Sequence, residues 1–307
     1  MALVTSTAFQ QSPAVQTRSF VVLSALAVRH VDDDFLYQIL VAFRTALAKA
    51  SETNTIVIVS MLRCLCRIVP AISETSRYMC SLFWLAVALL QVSHLGLYAE
   101  ATWLLKVSLE YMEKHNLFRN NSVETVLLEA REPIDEIMSQ LDDILRISFH
   151  QSFSYSLSSI VFKGLRHSGL KESAEAVLRT LLRVTSRAYS ADVPADQRYS
   201  PNPDAVAYFL ALLPVSATRK SYKQLLEDSN IDDQSLEAIP ESAEADASTP
   251  RVNAAVLGIE DSHQALLAAS FIGTMLATAQ GNDAETEILY GLLSSLALSY
   301  PDTITMM

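Results

Sequence analysis

A chain of 307 residues with 50% hydrophobic and 19% charged residues is apolar for a globular protein and long enough for one to three domains. Its formal net charge of −11 disfavours a broad nucleic-acid surface, because such a surface needs clustered Lys and Arg to displace counterions. Only seven glycines, with abundant Leu and Ala, favour helices over strand-rich domains, which need turn residues at short spacing.

Signals for the starts and ends of helices recur along the sequence. Predicted helices begin after polar capping residues or at a first-turn proline such as Pro13, and several end at proline. The acids Asp32–Asp34 precede the second helix, where they suit the positive end of the helix macrodipole. A cation site there is the weaker interpretation, because no further oxygen ligands follow at loop spacing. The predicted helices span about 13–30, 35–50, 54–69, 74–92, 97–115, 123–131, 133–148, 154–166, 170–189, 204–213, 218–227, 262–280 and 283–299.

Some of these assignments depend on short stretches. The sequence TIVIVS at 55–60 alone suggests a strand, but its continuation toward Pro70 has helical length, so a helix is predicted. Gly96 is predicted to separate two helices. Asn121, with Glu124 three residues later, is predicted to form a capping box at the start of a helix.

Paired as antiparallel hairpins, the helices suggest a repeat. The first helix of each pair begins near 13, 54, 97, 133 and 170, in steps of roughly 36–43 residues, close to the ~40–47 of HEAT and armadillo units. The segment from Asp228 to Asn253 differs, since it is acidic, poor in large apolar residues and unable to offset its ordering entropy by burial. We therefore predict an all-α, HEAT/armadillo-like helical-repeat solenoid with one disordered acidic loop. The scaffold covers 1–227, the loop 228–261, and a C-terminal helical pair at 262–307 packs on the scaffold.

The stretch from Tyr78 to Ala99 holds 22 residues without a charged side chain, which raises the question of a membrane span. Its unbroken apolar run, LFWLAVALL, covers only Leu82–Leu90, and no Lys/Arg cluster flanks it. A helix that is apolar all round is also the expected inner helix of a layered protein, and this interpretation is preferred. The N-terminus shows no secretory signal, and three cysteines do not indicate a disulfide framework, so a cytoplasmic location is expected.

No catalytic motif is recognisable. The sequence has no HExxH, GxSxG, GxGxxG or P-loop pattern, so no catalytic residue, cofactor or metal is predicted. Cys64 and Cys66 at i and i+2 do not face each other on a helix and are interpreted as buried small side chains rather than metal ligands. Four acids surround Pro133, where a solvated helix boundary is preferred over acid–base chemistry. These acids are Glu129, Glu132, Asp135 and Glu136.

One basic row stands out as a candidate docking face. Arg179, Arg183 and Arg187 recur every four residues opposite an apolar stripe on the same predicted helix. The row would suit an acidic partner or the acidic loop of this chain. The alternative is an ordinary exposed helix face in which Glu175 supports Arg179. The apolar stripe consists of Ala174, Val177, Leu178, Leu181, Leu182 and Thr185.

Several segments resemble the C-terminal helical region of the neurofibromin family of Ras GTPase-activating proteins. They are QTRSFVVLSALAVRHV at 16–31, LFWLAVALLQV at 82–92, LLEAREPI at 127–134, FKGLRHS at 162–168, AVAYFLALLPVS at 205–216 and ILYGLLSSLALSYPDTI at 288–304. The resemblance implies a helical scaffold within a homodimeric negative regulator of Ras, with the other domains of that parent as partners. No stretch matches the FLR-type motif of the family's arginine finger, or its Sec14-like and PH-like modules, so no catalytic residue is carried over.

The expected function is therefore that of a non-catalytic scaffold, and the chain is expected to be part of a longer protein. It would contact Ras only through the parent's catalytic domain, and no nucleic acid or transmembrane span is expected. The alternative is a free-standing helical-repeat adaptor, unrelated to Ras, with its own peptide-binding groove. An enzyme is the third and least favoured class.

Overall fold

The computed structural model describes residues 8, 12–26, 31–50, 55–92, 94–132, 135–145, 147–190, 202–216, 219–229, 257–259, 261–279, 281 and 283–302. Within these ranges every regular element is a helix, which confirms the all-α prediction. The chain forms two compact units. One contains Met1–Phe118 and Glu129–Asp135, and the other contains Arg119–Leu128 and Glu136–Met307. Helices α6 (Val123–Arg131) and α7 (Asp135–Leu145) have residues in both units.

The first unit contains the helices α1 (Pro13–Leu26), α2 (Asp33–Ala48), α3 (Thr55–Ile68), α4 (Met79–Leu89) and α5 (Leu95–Lys114). It is built on a row of helices that are two apart in the chain. Helix α1 packs on α3, and α3 packs on α5, while α2 packs on α3 and α4 packs on α5. The TIVIVS stretch lies in α3, so the helix predicted there is confirmed. A single parallel bridge between Val31 and Ile72 links the start of α2 to the turn after α3.

Local hydrogen bonds set the helix starts and correct two predictions. The Asp32 carboxylate accepts from the Phe35 amide at 2.8 Å, so Asp32 caps α2, and Asp33 and Asp34 lie in the first turn of the helix. Gly96 does not separate two helices, because His94 Nδ1 accepts from the Leu97 amide at 3.3 Å and Gly96 lies in the first turn of α5. Asn121 does not cap α6, since the Ser122 hydroxyl accepts from the Thr125 amide at 3.1 Å.

The charge-free stretch that suggested a membrane span contains α4, which begins at Met79 rather than near 74 because residues 74–78 form turns. Seven side chains of the apolar run are buried, as expected of an inner helix. They are Leu82, Phe83, Trp84, Ala86, Val87, Leu89 and Leu90. Among the residues that the structure describes, no helix combines the length and apolarity needed to cross a bilayer.

The second unit contains the helices α8 (Phe149–Leu165), α9 (Lys171–Ser190), α10 (Val206–Leu212), α11 (Arg219–Asp228), α12 (Ser262–Thr278) and α13 (Asp283–Ser299). The short helix α10 lies at its centre. Every residue of α10 is buried, and it packs on α8, α9 and α12. Helix α8 also packs on α9 and α12, α11 packs on α9, and α13 packs on α12. The predicted acidic loop lies mostly outside the described residues, which omit 230–256.

Candidate functional site

The predicted arginine row lies on α9 in the second unit. The Arg179 Nε donates to Glu175 Oε1 at 2.9 Å, and its Nη1 lies 3.8 Å from Asp228 Oδ2 at the end of α11. The Arg179 side chain is only 25% exposed, Arg183 is half-buried and Arg187 is exposed. The helical support from Glu175 is therefore present, and a second acid from another helix joins it.

The rest of α9 explains why this row is narrow. All six residues of the predicted apolar stripe are buried. Thr180, Val184 and Ser186 are buried as well, so α9 is covered over most of its circumference. The arginines thus form a partly sheltered strip between buried positions rather than one side of a fully solvated helix. Charges in such a strip are screened less by salt than charges on an open surface.

A second candidate site is a cleft in the first unit. The cleft has a volume of about 720 Å³ and is lined by residues from α2, the turn before α4, α4 itself and α5, with Ala130 of α6. Three tyrosines, Tyr37, Tyr78 and Tyr111, contribute to its wall. Tyr37 is 55% exposed, whereas Tyr111 is buried and donates its hydroxyl hydrogen bond to the Ile72 carbonyl. The wall of the cleft therefore includes one tyrosine ring that is held in place, that of Tyr111, and one that is accessible to solvent, that of Tyr37.

Charged groups lie at the mouth of this cleft. The Arg77 guanidinium lies over the Tyr78 ring, 4.9 Å from its centroid, and its Nε is 4.0 Å from Asp33 Oδ2. His115 Nδ1 lies 3.1 Å from Glu74 Oε1. An aromatic wall with a few charged groups at the rim is typical of surfaces that recognise extended peptides. No motif in the sequence pointed to this cleft, because its residues come from separate helices.

Of the four acids around Pro133, Asp135 contacts a buried arginine, and the side chain of Glu136 lies outside the described part of the structure. Arg131 is fully buried, its guanidinium lies 4.8 Å from the centroid of the Trp84 ring, and its Nε lies 3.6 Å from Asp135 Oδ1. Asp135 thus balances a buried cation, while Glu129 and Glu132 are exposed. Arg131 could not be recognised from the sequence, since nothing local distinguishes it from a surface arginine.

Two carboxyl groups in the second unit, Glu124 and Asp204, have raised pKa values. Burial, and next the negative charge of Asp204, raise the pKa of Glu124 to about 7. Burial also raises the pKa of Asp204, which sits in the turn before α10. Perturbed carboxyl pairs occur in active sites, but they also occur in structural clusters.

Two of the three cysteines, Cys64 and Cys66, behave as buried apolar side chains, whereas Cys80 is half-buried. Cys64 and Cys66 are buried in α3, and burial raises the pKa of the Cys64 thiol to about 12 and that of the Cys66 thiol further still. A thiol that resists ionisation is a poor nucleophile and a poor metal ligand. Across the described ranges, no group of three His, Cys, Asp or Glu side chains is arranged to hold a metal ion. No model of a known protein family matches the chain.

Proposed function

We propose that the chain is a non-catalytic helical scaffold that supplies protein–protein contacts, and that it forms part of a neurofibromin-like Ras GTPase-activating protein. The observation that carries the scaffold assignment is the row of α1, α3 and α5. Helices two apart in the chain lie side by side when helical hairpins stack, as they do in HEAT and armadillo solenoids. The proposed architecture is therefore a helical-repeat solenoid.

The connection to Ras rests on the sequence resemblance. Six segments follow one another in the family's order, the first at 16–31 and the last at 288–304. In the proposed parent, the catalytic domain would act on Ras, and this chain would hold other domains of the parent or a second copy of it. The proposed location is the cytoplasm, where the parent would lower Ras signalling by stimulating GTP hydrolysis.

A single-turnover measurement of GTP hydrolysis by Ras tests the non-catalytic role. The purified chain should leave the intrinsic rate unchanged, whereas a Ras GTPase-activating domain used as positive control accelerates it. Such acceleration reaches ~10⁵-fold and requires an arginine supplied in trans. No stretch of this chain resembles the domain that supplies that arginine. A rate stimulated by the chain alone would refute the proposal.

The cleft of the first unit favours a second candidate function, that of a peptide-binding adaptor unrelated to Ras. Panning a displayed peptide library against the chain tests it, with Tyr37→Ala as the cleft variant. Tyr290→Ala on α13 is a matched control, because Tyr290 is 57% exposed and Tyr37 is 55% exposed. A peptide-binding adaptor predicts enriched peptides that bind the control but lose affinity for Tyr37→Ala. Absence of enrichment, or equal binding to both variants, would contradict this second candidate.

A further inference from the structure

The outer surfaces of helices α3 and α5 meet along a seam in the first unit. A Cβ at Gly96 would lie 3.6 Å from Val59 Cγ2, so α5 passes close to the Val59 side chain. Four residues further along each helix, the Arg63 Nε donates to Glu100 Oε1 at 3.0 Å. Because the residue numbers rise together on both sides, the two helices run parallel. The seam consists of Val59, Arg63, Arg67, Gly96, Glu100 and Trp103.

The last pair of the seam contains a positive charge without a counter-ion. The Arg67 guanidinium lies 5.8 Å from the centroid of the Trp103 ring, and it forms no ion pair with any residue that the structure describes. Arg67 is exposed, whereas Trp103 is half-buried. Arginine and tryptophan are enriched among the residues that dominate the binding energy of protein interfaces. Arg67 is therefore positioned to bind an anionic group of a partner.

The other arginine of the seam is held in place by a buried carboxylate. Its Nε and its Nη2 both contact Glu100 Oε1. Arg63 is nevertheless exposed, and in the described structure its Nη1 donates no hydrogen bond. Arg63 and Arg67 are four residues apart on one helix, so their Cβ atoms lie roughly 6 Å apart. Neighbouring carboxylates of one ligand can therefore contact both guanidinium groups.

The opposite end of the seam is apolar. Val59 and Gly96 are half-buried, and Leu95 beside Gly96 is exposed. Ile56 is exposed as well, and it precedes Val59 by three residues, which places it on the same face of α3. Eight residues separate Val59 from Arg67, a distance of about 12 Å along the helix axis. An extended peptide covers that distance with about four residues.

We propose that the seam docks a short acidic peptide of a partner protein, with carboxylates at Arg63 and Arg67 and an apolar side chain beside Val59. Charge complementarity determines this choice of partner, because α3 contains two arginines and no acid although the whole chain has a net charge of −11. Two guanidinium groups are too few for nucleic acid, whose affinity depends on many phosphate contacts. The proposal rests on the scaffold role proposed above, but not on the connection to Ras.

A displayed library of random peptides, panned against the full chain, supplies the probes. Enriched peptides should carry neighbouring acids beside an apolar residue. Their binding, followed by fluorescence anisotropy, should weaken about tenfold in Arg67→Glu, because repulsion replaces a charge-assisted contact. Arg44→Glu on α2 is the matched control, since Arg44 is exposed in the same unit and the change in charge is the same. Arg63 stays unchanged, because its loss would leave Glu100 buried without its cation.

Quenching of tryptophan fluorescence by acrylamide locates the bound peptide. Trp84 is buried and Trp103 is half-buried, so the quencher reaches Trp103 more readily. An enriched peptide should reduce quenching in the natural chain and in Arg44→Glu. At the same peptide concentration it should leave quenching unchanged in Arg67→Glu.

Failure to enrich acidic peptides would overturn the docking proposal, as would equal weakening by Arg67→Glu and Arg44→Glu. Weakening by Tyr37→Ala in place of Arg67→Glu would overturn it and assign the peptides to the cleft. Tighter binding of an oligo(dT) probe than of the acidic peptides would overturn it in favour of nucleic acid. The non-catalytic scaffold role is judged separately by the hydrolysis of GTP by Ras, a measurement that involves no ligand of the seam.

Discussion

Glu124 is a carboxyl group whose surroundings favour its neutral form. It is half-buried near Asp204, and its pKa is raised to about 7. Between the pKa of the unfolded chain, near 4.5, and this folded value, the native state holds a proton that the unfolded state has lost. Raising the pH through that window therefore lowers the free energy of unfolding, and the loss is complete above about pH 7.

Glu124→Gln should remove this dependence. Partial exposure to water and the position in the first helical turn both stabilise the charged form of Glu124. We therefore expect the free energy of unfolding of the variant to exceed that of the natural chain by only about 1–2 kcal/mol at about pH 8. At about pH 5 the two should be nearly equal. Urea unfolding followed by circular dichroism measures both. Glu172→Gln is the control at the same helix position on α9, where the side chain is exposed. An equal pH dependence in Glu124→Gln and the natural chain would contradict the argument.

Gly273 and Gly281 allow a second test at single residues. Gly273 lies within α12, and a Cβ there would meet no atom within 4 Å. Gly273→Ala should therefore raise the free energy of unfolding by roughly 0.5–1 kcal/mol, because alanine loses less backbone freedom on folding. A Cβ at Gly281 would also meet no atom within 4 Å, but the φ of Gly281 is +77°. Gly281→Ala should therefore lower the free energy of unfolding by about 1 kcal/mol. Thermal unfolding of both variants checks the signs, and a gain for both would contradict the backbone argument.

Residues whose roles are local could be predicted, and residues whose partners are distant could not. The cap at Asp32 follows from the order of residues around it, as does the burial of Cys64 in an apolar helix. Glu100 and Glu285 are buried acids that look like surface residues in the sequence. Their arginine partners lie 37 and 119 residues away, so nothing in either local sequence indicates the pairing.

At the scale of elements, Arg166 connects three helices of the second unit. It follows α8, and its Nη1 donates to Glu285 Oε2 of α13 at 2.8 Å. Its Nη2 donates to the Met275 carbonyl of α12 at 3.1 Å, and its guanidinium lies 4.6 Å from the centroid of the Phe162 ring. The Glu285 side chain is only 3% exposed, so the Arg166 guanidinium takes the place of water as its partner.

Arg166→Ala should lower the free energy of unfolding of the second unit by about 2–4 kcal/mol, because a carboxylate would remain buried without its cation. Lys163→Ala, an exposed change one turn earlier, should stay within about 0.5 kcal/mol. Amide hydrogen exchange is the suitable measurement, since Trp84 and Trp103 both belong to the first unit and fluorescence would not report on α12 and α13. Protection of α12 and α13 that is unchanged in Arg166→Ala would contradict the role assigned to Arg166.

Helix α1 exposes an apolar face. Val21, Val22 and Leu26 are exposed, while Phe20 and Leu23 on the opposite side are buried. Exposed apolar patches on a helix favour association. We expect concentration-dependent oligomers at tens of micromolar that weaken in Val22→Glu. Sedimentation velocity measures this, with Val41→Glu on α2 as control, because both valines are 44% exposed. A clean monomer, or equal weakening by the control, would contradict self-association through α1.

At the scale of the molecule, the all-α class followed from the sequence, whereas the division into two units did not. Apolar spacing and caps predict each helix from nearby residues. The chain passes between the units at three points, and one of them, between Leu128 and Glu129, falls inside α6, where no linker composition marks it. Which helices pack together depends on contacts far apart in sequence, and these leave no local pattern. For the same reason the cleft of the first unit could not be predicted.

The reading frame upstream of the codon for Met1 tests the central claim most directly. Sequencing the complete transcript shows which domains, if any, precede this chain. The account predicts that the frame continues into a Ras GTPase-activating domain with an arginine finger, the element that acceleration in trans requires. A transcript in which translation starts at Met1, or in which the preceding domains are unrelated to Ras, would contradict it and favour the free-standing adaptor.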